Sequence, residues 1–230
     1  MILIAGGTKG GSGKTTIATN LAVMRAAQGR DVLLIDADDQ ETASDFTIIR
    51  NERLGDKAGY TSIKLAGAAV RTETLRLASK YDDIIIDAGG RDTVSQRAAL
   101  TVADVLLVPF VPRSFDIWTI EKVADLIKEI QPVNPKLKGF TFLNRADAAG
   151  QDNADAAKEL ESVEDLTFLD TPIVYRKAFG KAAAQGIAVT ELKPPDDKAI
   201  QEIEALFLAV FEVENSWTNN AFRCLSRWSF

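Results

Sequence analysis

Lys9-Gly10-Gly11-Ser12-Gly13-Lys14-Thr15-Thr16 lies between an apolar run, Ile2–Gly6, and a stretch, Lys14–Gln28, in which Ile17, Leu21 and Met24 fall on one helical face and Gly29 ends the pattern. A strand, a glycine-rich turn and a helix in that order form a cradle for phosphate. The glycines let successive backbone N–H groups turn inward, the helix N-terminus adds a favourable dipole, and a lysine at its first turn reaches the β- and γ-phosphates. Lys14 is that lysine. Thr15 supplies a hydroxyl for Mg²⁺, and Thr16 lies near the α-phosphate.

Outward from this loop the chain alternates short apolar runs with helical periodicity, which predicts an α/β fold, a mostly parallel twisted sheet with helices on both faces. Asp31–Asp36, Ile84–Asp87, Asp104–Phe110, Gly139–Asn144 and Pro172–Tyr175 read as strands. Ile117–Ile130 reads as a helix with Ile120, Val123, Leu126 and Ile130 at its spacing, ended by Pro132 and Pro135. After Pro194 and Pro195 a last helix presents Ile200, Ile203, Leu206, Phe207, Val210 and Phe211. Residues 1–211 are expected to form one domain. Residues 212–230, with Trp217 and Trp228 and no clear period, read as a tail that is a docking arm, unstructured, or foreign to the fold.

Composition narrows the chemistry. The 230 residues carry a formal charge of −6, so a nucleic-acid contact needs a local basic patch on an acidic body. With no histidine and one cysteine, Cys224, the chain has no disulfide framework, no Cys/His zinc site and no histidine base. A cluster shared across a dimer, which needs two thiolates per chain, is excluded as well. No apolar run reaches the length of a membrane span and no leader is recognisable, so the expected location is cytoplasmic.

A phosphate loop calls for carboxylates at neighbouring strand ends to handle the metal. Asp36 closes one strand within Ile35-Asp36-Ala37-Asp38-Asp39-Gln40, and Asp87 closes another, Ile84-Ile85-Ile86-Asp87. Each projects from the carboxyl edge of the sheet, where ligands of such folds bind.

The loop departs from the ordinary phosphate-loop expression, since Thr8 stands where a glycine is usual. The run with its extra lysine at Lys9 resembles the deviant Walker A ATPases, the ParA and MinD group, and the length of the chain with its Asp87-Ala88-Gly89-Gly90 loop is most similar to the small ParF-like ParA proteins. The resemblance spans about residues 1–211 and implies a single-domain P-loop NTPase. It implies that Lys9 crosses a dimer interface to the phosphates held by the other subunit. Asp36 would then lie near Mg²⁺, Asp38 would orient the attacking water, and Asp87 would be the Walker B carboxylate. Gly10, Gly11, Ser12, Gly13, Lys14, Thr15 and Thr16 would cradle ATP. Asn144, after its strand, would contact adenine, and Pro172 to Phe179, with Pro172 and Arg176, would wrap the adenine side. Asp39 stands where relatives often have proline.

The same resemblance implies slow ATP hydrolysis stimulated by a partner, an ATP-dependent homodimer, non-specific DNA binding and positioning of a cargo with a ParB-like or cargo-adaptor protein. The place of action would be cytoplasmic and nucleoid-associated, with no stable membrane association. Arg176, Lys177, Lys181, Lys193 and Lys198 are the candidate DNA contacts. Ser114, in Pro109–Asp116, reads as a helix cap. Two alternatives remain open: a MinD-like membrane-associated regulator, for which the tail is a poor amphipathic helix, and a small-molecule amidating ligase of the same superfamily.

Overall fold

The phosphate loop hangs from the central strand of an eight-stranded parallel sheet. The computed structural model describes residues 1–90, 92–112, 117–148 and 151–225, with the side chains of 117–118 and 212–225 outside the description. In chain order the strands are β1 (Ile2–Ala5), β2 (Val32–Ala37), β3 (Thr61–Lys64), β4 (Asp83–Ala88), β5 (Val105–Phe110), β6 (Lys138–Ala146), β7 (Leu166–Phe168) and β8 (Ile173–Val174). They are ordered β3-β2-β4-β1-β5-β6-β7, with β8 beside the far end of β6. The sheet therefore reverses its winding at β1, and a crevice opens at the carboxyl ends of the strands around it.

Near-continuous apolar strands are what a sheet covered on both faces requires. Along β1, Ile2 and Ile4 point into one layer while Leu3 and Ala5 point into the other. The first layer is filled from α3 (Ala69–Leu77), α4 (Val94–Leu100), α5 (Ile117–Ile130) and α6 (Gln151–Glu161). The second is filled from α1 (Lys14–Ala27), α7 (Lys177–Ala183) and α8 (Asp197–Leu225), with Ala43 of α2 (Thr42–Leu54) at its border.

The expected strands and helices are present with ends shifted by one or two residues. On α8 the buried stripe is Ala199, Ile203, Leu206, Phe207, Val210 and Phe211, so Ala199 takes the inward place expected of Ile200, which is half-buried. The helix runs on to Leu225, without a break at 211. Ser114 and the side chains of Trp217, Cys224 and Trp228 lie outside the described residues.

Candidate functional site

Parallel pairing fixes the site's frame. β2 and β4 are in register with Asp36 opposite Asp87, and β1 and β4 with Ala5 opposite Asp87. Both aspartates are fully buried at the sheet's carboxyl edge, on one side of the chain as it leaves β1 for the loop.

The loop is held from three sides. From behind, the Asn144 amide donates to the Ser12 carbonyl at 2.6 Å, and Gly13, at φ 95°, has no room for a side chain against that amide. From the β4 side, a Cβ on Gly90 would stand 2.6 Å from the Gly10 Cα, so the Gly89-Gly90 turn lies directly on the loop's backbone. Within the loop, the Lys14 ammonium donates to the Lys9 carbonyl at 2.8 Å. Two further ties secure the strand that feeds it: Gly7 N–H donates to the buried Gln96 at 3.1 Å, and the Thr8 hydroxyl to the Thr119 carbonyl.

Charge is concentrated beneath the loop. Lys14 is buried, and desolvation lowers its pKa against the opposing pull of Asp87 and Asp38. Burial raises the Asp87 carboxyl to about 7, with the charges of Asp36 and Asp38 adding to the rise and Thr15 and Lys14 opposing it. Among the described residues neither Asp87 oxygen has a fully formed hydrogen bond, although the Thr15 hydroxyl is near enough to favour the charged carboxylate. A buried carboxylate so short of donors is costly, and an oxygen-seeking cation, directly or through its water, answers that deficit.

Among the described residues no cluster of three or more His, Cys, Asp or Glu could hold a metal alone. Mg²⁺ needs no such cluster, since it keeps waters and takes one or two protein groups together with substrate phosphates. Asp87 and the Thr15 hydroxyl are the oxygen donors that fit it.

Asp36 has a different environment from Asp87. Its carboxylate accepts from the Ser44 N–H at 2.8 Å, the Ser44 hydroxyl at 2.7 Å and the Asp38 N–H at 3.2 Å. It therefore fastens the Asp38 loop to the first turn of α2. Asp38 in turn accepts from the Gln40 N–H and faces Gly89, whose Cβ would stand 3.3 Å from its carboxylate. Between these groups lies a cavity of about 580 Å³, lined by Gly10, Gly11, Gly13, Lys14, Thr15, Thr16, Asp38 and Gly90 among others. Lys9, half-buried and engaged in the structure, borders a second cavity of about 220 Å³ between the loop, the end of β5 and α5.

A third cavity, about 180 Å³, opens beside Thr16, Asn144, Tyr175 and Arg176. It lies on the side of the loop where Asn144 and Arg176 are expected to meet adenine. Asn144 borders it with its amide committed to Ser12. Arg176 borders it too, but its guanidinium is forked onto Glu202 of α8, with Nη2 to Oε1 at 2.6 Å, and Glu202 also receives the Val174 N–H. That pairing raises the Arg176 pKa, the hydrogen bond it donates to Glu202 being the main cause. Pro172 is exposed and borders none of these cavities.

Of the basic residues considered for DNA, Lys177, Lys181, Lys193 and Lys198 are exposed on or just ahead of α7 and α8, while Arg176 is the one tied to Glu202. Sequence reasoning missed Gln96, Ser44 and Glu202. Gln96 and Glu202 act through contacts distant in the chain and Ser44 through one eight residues back, with no local motif to mark any of them.

Comparison with known proteins agrees with this architecture. Residues 2–189 match the profile described as "CobQ/CobB/MinD/ParA nucleotide binding domain". The chain is 25% identical over 202 residues to the maintenance of carboxysome distribution protein A of Halothiobacillus neapolitanus, covering 86% of this chain and 90% of the relative. It is 29% identical over 212 residues to the protein of the same name from Gloeobacter kilaueensis, covering 91% and 92%. Among solved structures, a plasmid partition protein from Borrelia burgdorferi bound to AMPPNP superposes with a TM-score of 0.72 at 19% identity, covering 93% of this chain and 98% of that one. With its loop, its strand-end aspartates and a profile match over most of its length, the chain belongs to the CobQ/CobB/MinD/ParA nucleotide-binding family.

Proposed function

We propose that the chain is an ATPase that binds ATP with Mg²⁺, dimerises around the nucleotide, binds DNA non-specifically and positions a large cargo with a partner protein, residues 1–211 forming the ATPase domain. One observation carries the reading more than any other. A buried lysine and a buried carboxylate short of donors meet beneath a glycine loop at the head of a helix, which is the charge pattern a metal-bound triphosphate neutralises.

In this reading Lys14 and the N–H groups of residues 10–16 hold the phosphates. Mg²⁺ supplies charge neutralisation between the phosphate oxygens, and the Thr15 hydroxyl and Asp87 are the groups that would hold it. Asp36 acts by holding Asp38, and Asp38 is placed to orient the attacking water. The chain has no histidine, and among the described residues we identify no strong general base for this water, which supports slow turnover that a partner and DNA accelerate. Lys9, on the lip of the loop, reaches the triphosphate of a second copy. Relatives named for carboxysome distribution support a cargo-positioning role.

Retention on non-specific DNA tests the whole cycle. With ATP and Mg²⁺ the protein is expected to be retained on DNA, with retention falling steeply between about 50 and 200 mM salt as phosphate contacts release counterions. With ADP it should elute freely. Retention that ignores the nucleotide would contradict the proposal. Among the described residues no helix is long and apolar enough to cross a membrane.

A further inference from the structure

Arg145 occupies an unusual position. It follows Asn144 near the end of β6, where pairing with β8 slips between Asn144 and Ala146, and its backbone has φ 54°. A non-glycine residue in the left-handed region is strained, and such residues cluster where function demands a particular side-chain position. Strand alternation would send Arg145 to the layer that holds Leu143. Instead Ala146 takes the next inward place in that layer, and Arg145 turns out to solvent on the side of the phosphate loop. Its Nε stands 3.9 Å from where a Cβ on Gly13 would be.

Three cavities meet around the loop, and among the described residues Arg145 alone borders all of them. Several arginines of the fold are occupied: Arg176 by Glu202, Arg97 by Asp92 and Glu129, Arg50 by Glu191. Among the described residues no acceptor engages the Arg145 guanidinium. A planar fork of donors, held by a strained backbone over the residue that caps a phosphate-binding helix, suits a phosphate chain better than a point charge would.

We propose that Arg145 binds the α- and β-phosphates of the nucleotide held by its own chain, closing over Gly13 at the junction of the base-side and phosphate cavities. This rests on the reading of the loop as an ATP site. It adds a phosphate ligand contributed from β6, outside the glycine loop itself.

The test is calorimetric titration of wild type, Arg145→Asn and Arg145→Lys with Mg·ATP and with Mg·ADP. Asn tolerates the left-handed backbone, so the thermal unfolding of Arg145→Asn without nucleotide should be no lower than that of wild type. Its affinities for ATP and ADP should fall together, by about tenfold to a hundredfold, because both carry the α- and β-phosphates. Arg145→Lys keeps the charge and the strained backbone without the fork and should fall between the two. Wild-type affinity for both nucleotides in Arg145→Asn would overturn the proposal while leaving the ATP reading intact. A loss confined to ATP, or to the dimer, would also overturn it by moving the contact to the γ-phosphate or to the second subunit. If wild type itself binds neither nucleotide, the ATP reading and this inference both fall.

Discussion

The carboxylate of Asp87 states the site's energetics most compactly. It is fully buried, without a fully formed hydrogen bond among the described residues, and burial lifts its pKa to about 7 from an ordinary 3.8. Between roughly pH 4 and pH 7 the folded state keeps a proton that the unfolded chain has released, so nucleotide-free stability must fall as pH rises through that window and stay low above it. Asp87→Asn, measured with chelator and no nucleotide, should therefore be more stable than wild type at pH 8, by up to about 4 kcal/mol, and indistinguishable from it near pH 4. Parallel pH curves for the two proteins would show that the carboxylate's charge is met some other way. Gly90 offers a steric test at the same scale. A methyl group there would stand 2.6 Å from Gly10, so Gly90→Ala should cost about 1–3 kcal/mol and weaken ATP binding by displacing the loop. A Gly90→Ala protein with wild-type melting and affinity would show the turn to be loosely seated.

At the scale of elements, α2 joins the aspartate loop to the far side of the molecule. Ser44 in its first turn holds Asp36, and Arg50 near its end donates to the Ala58 and Gly186 carbonyls and to both oxygens of Glu191. Replacing Arg50 by Met leaves two carbonyls and a carboxylate without their donor, and should cost about 3 kcal/mol, read as a lower denaturant midpoint. Burial alone would raise the Glu191 pKa, but the hydrogen bonds from Arg50 and the Ala188 N–H lower it below its ordinary 4.5. The stability it lends is thus present above that value and lost as pH falls through its folded pKa, and Arg50→Met should flatten that acid limb. A steep acid limb retained in the variant would assign the effect elsewhere.

Legibility also divides at this scale. The loop, the two strand-end aspartates and the central strands were readable because each is local: a spacing of glycines and lysines, or an apolar run ended by a carboxylate. β3 was not, since Thr61–Lys64 is an edge strand with exposed and half-buried positions and no alternation. α2 opens on Thr42-Ala43-Ser44-Asp45, which carries no apolar stripe. The contacts of Gln96 with Gly7, Asn144 with Ser12 and Arg176 with Glu202 span 89, 132 and 26 residues of chain and follow from topology alone.

For the molecule as a whole, the parallel sheet reverses at β1 and gathers Lys14, Asp38 and the Gly89-Gly90 turn around one cavity, with Asp87 buried at the adjoining strand end and Lys9 bordering the neighbouring cavity. On an acidic body, at a net charge of −6, the proposed DNA contact has to come from a local basic patch. Doubling the chain doubles whatever basic surface α7 and α8 present, which is why dimerisation and DNA retention are expected to rise and fall together. Light scattering on a sizing column, with Mg·ATP under conditions of slow hydrolysis, addresses this directly. Wild type should elute as a dimer, and Lys9→Ala, still binding ATP, as a monomer. A Lys9→Ala protein that dimerises as wild type does, or a wild type that stays monomeric with ATP bound, would contradict the account.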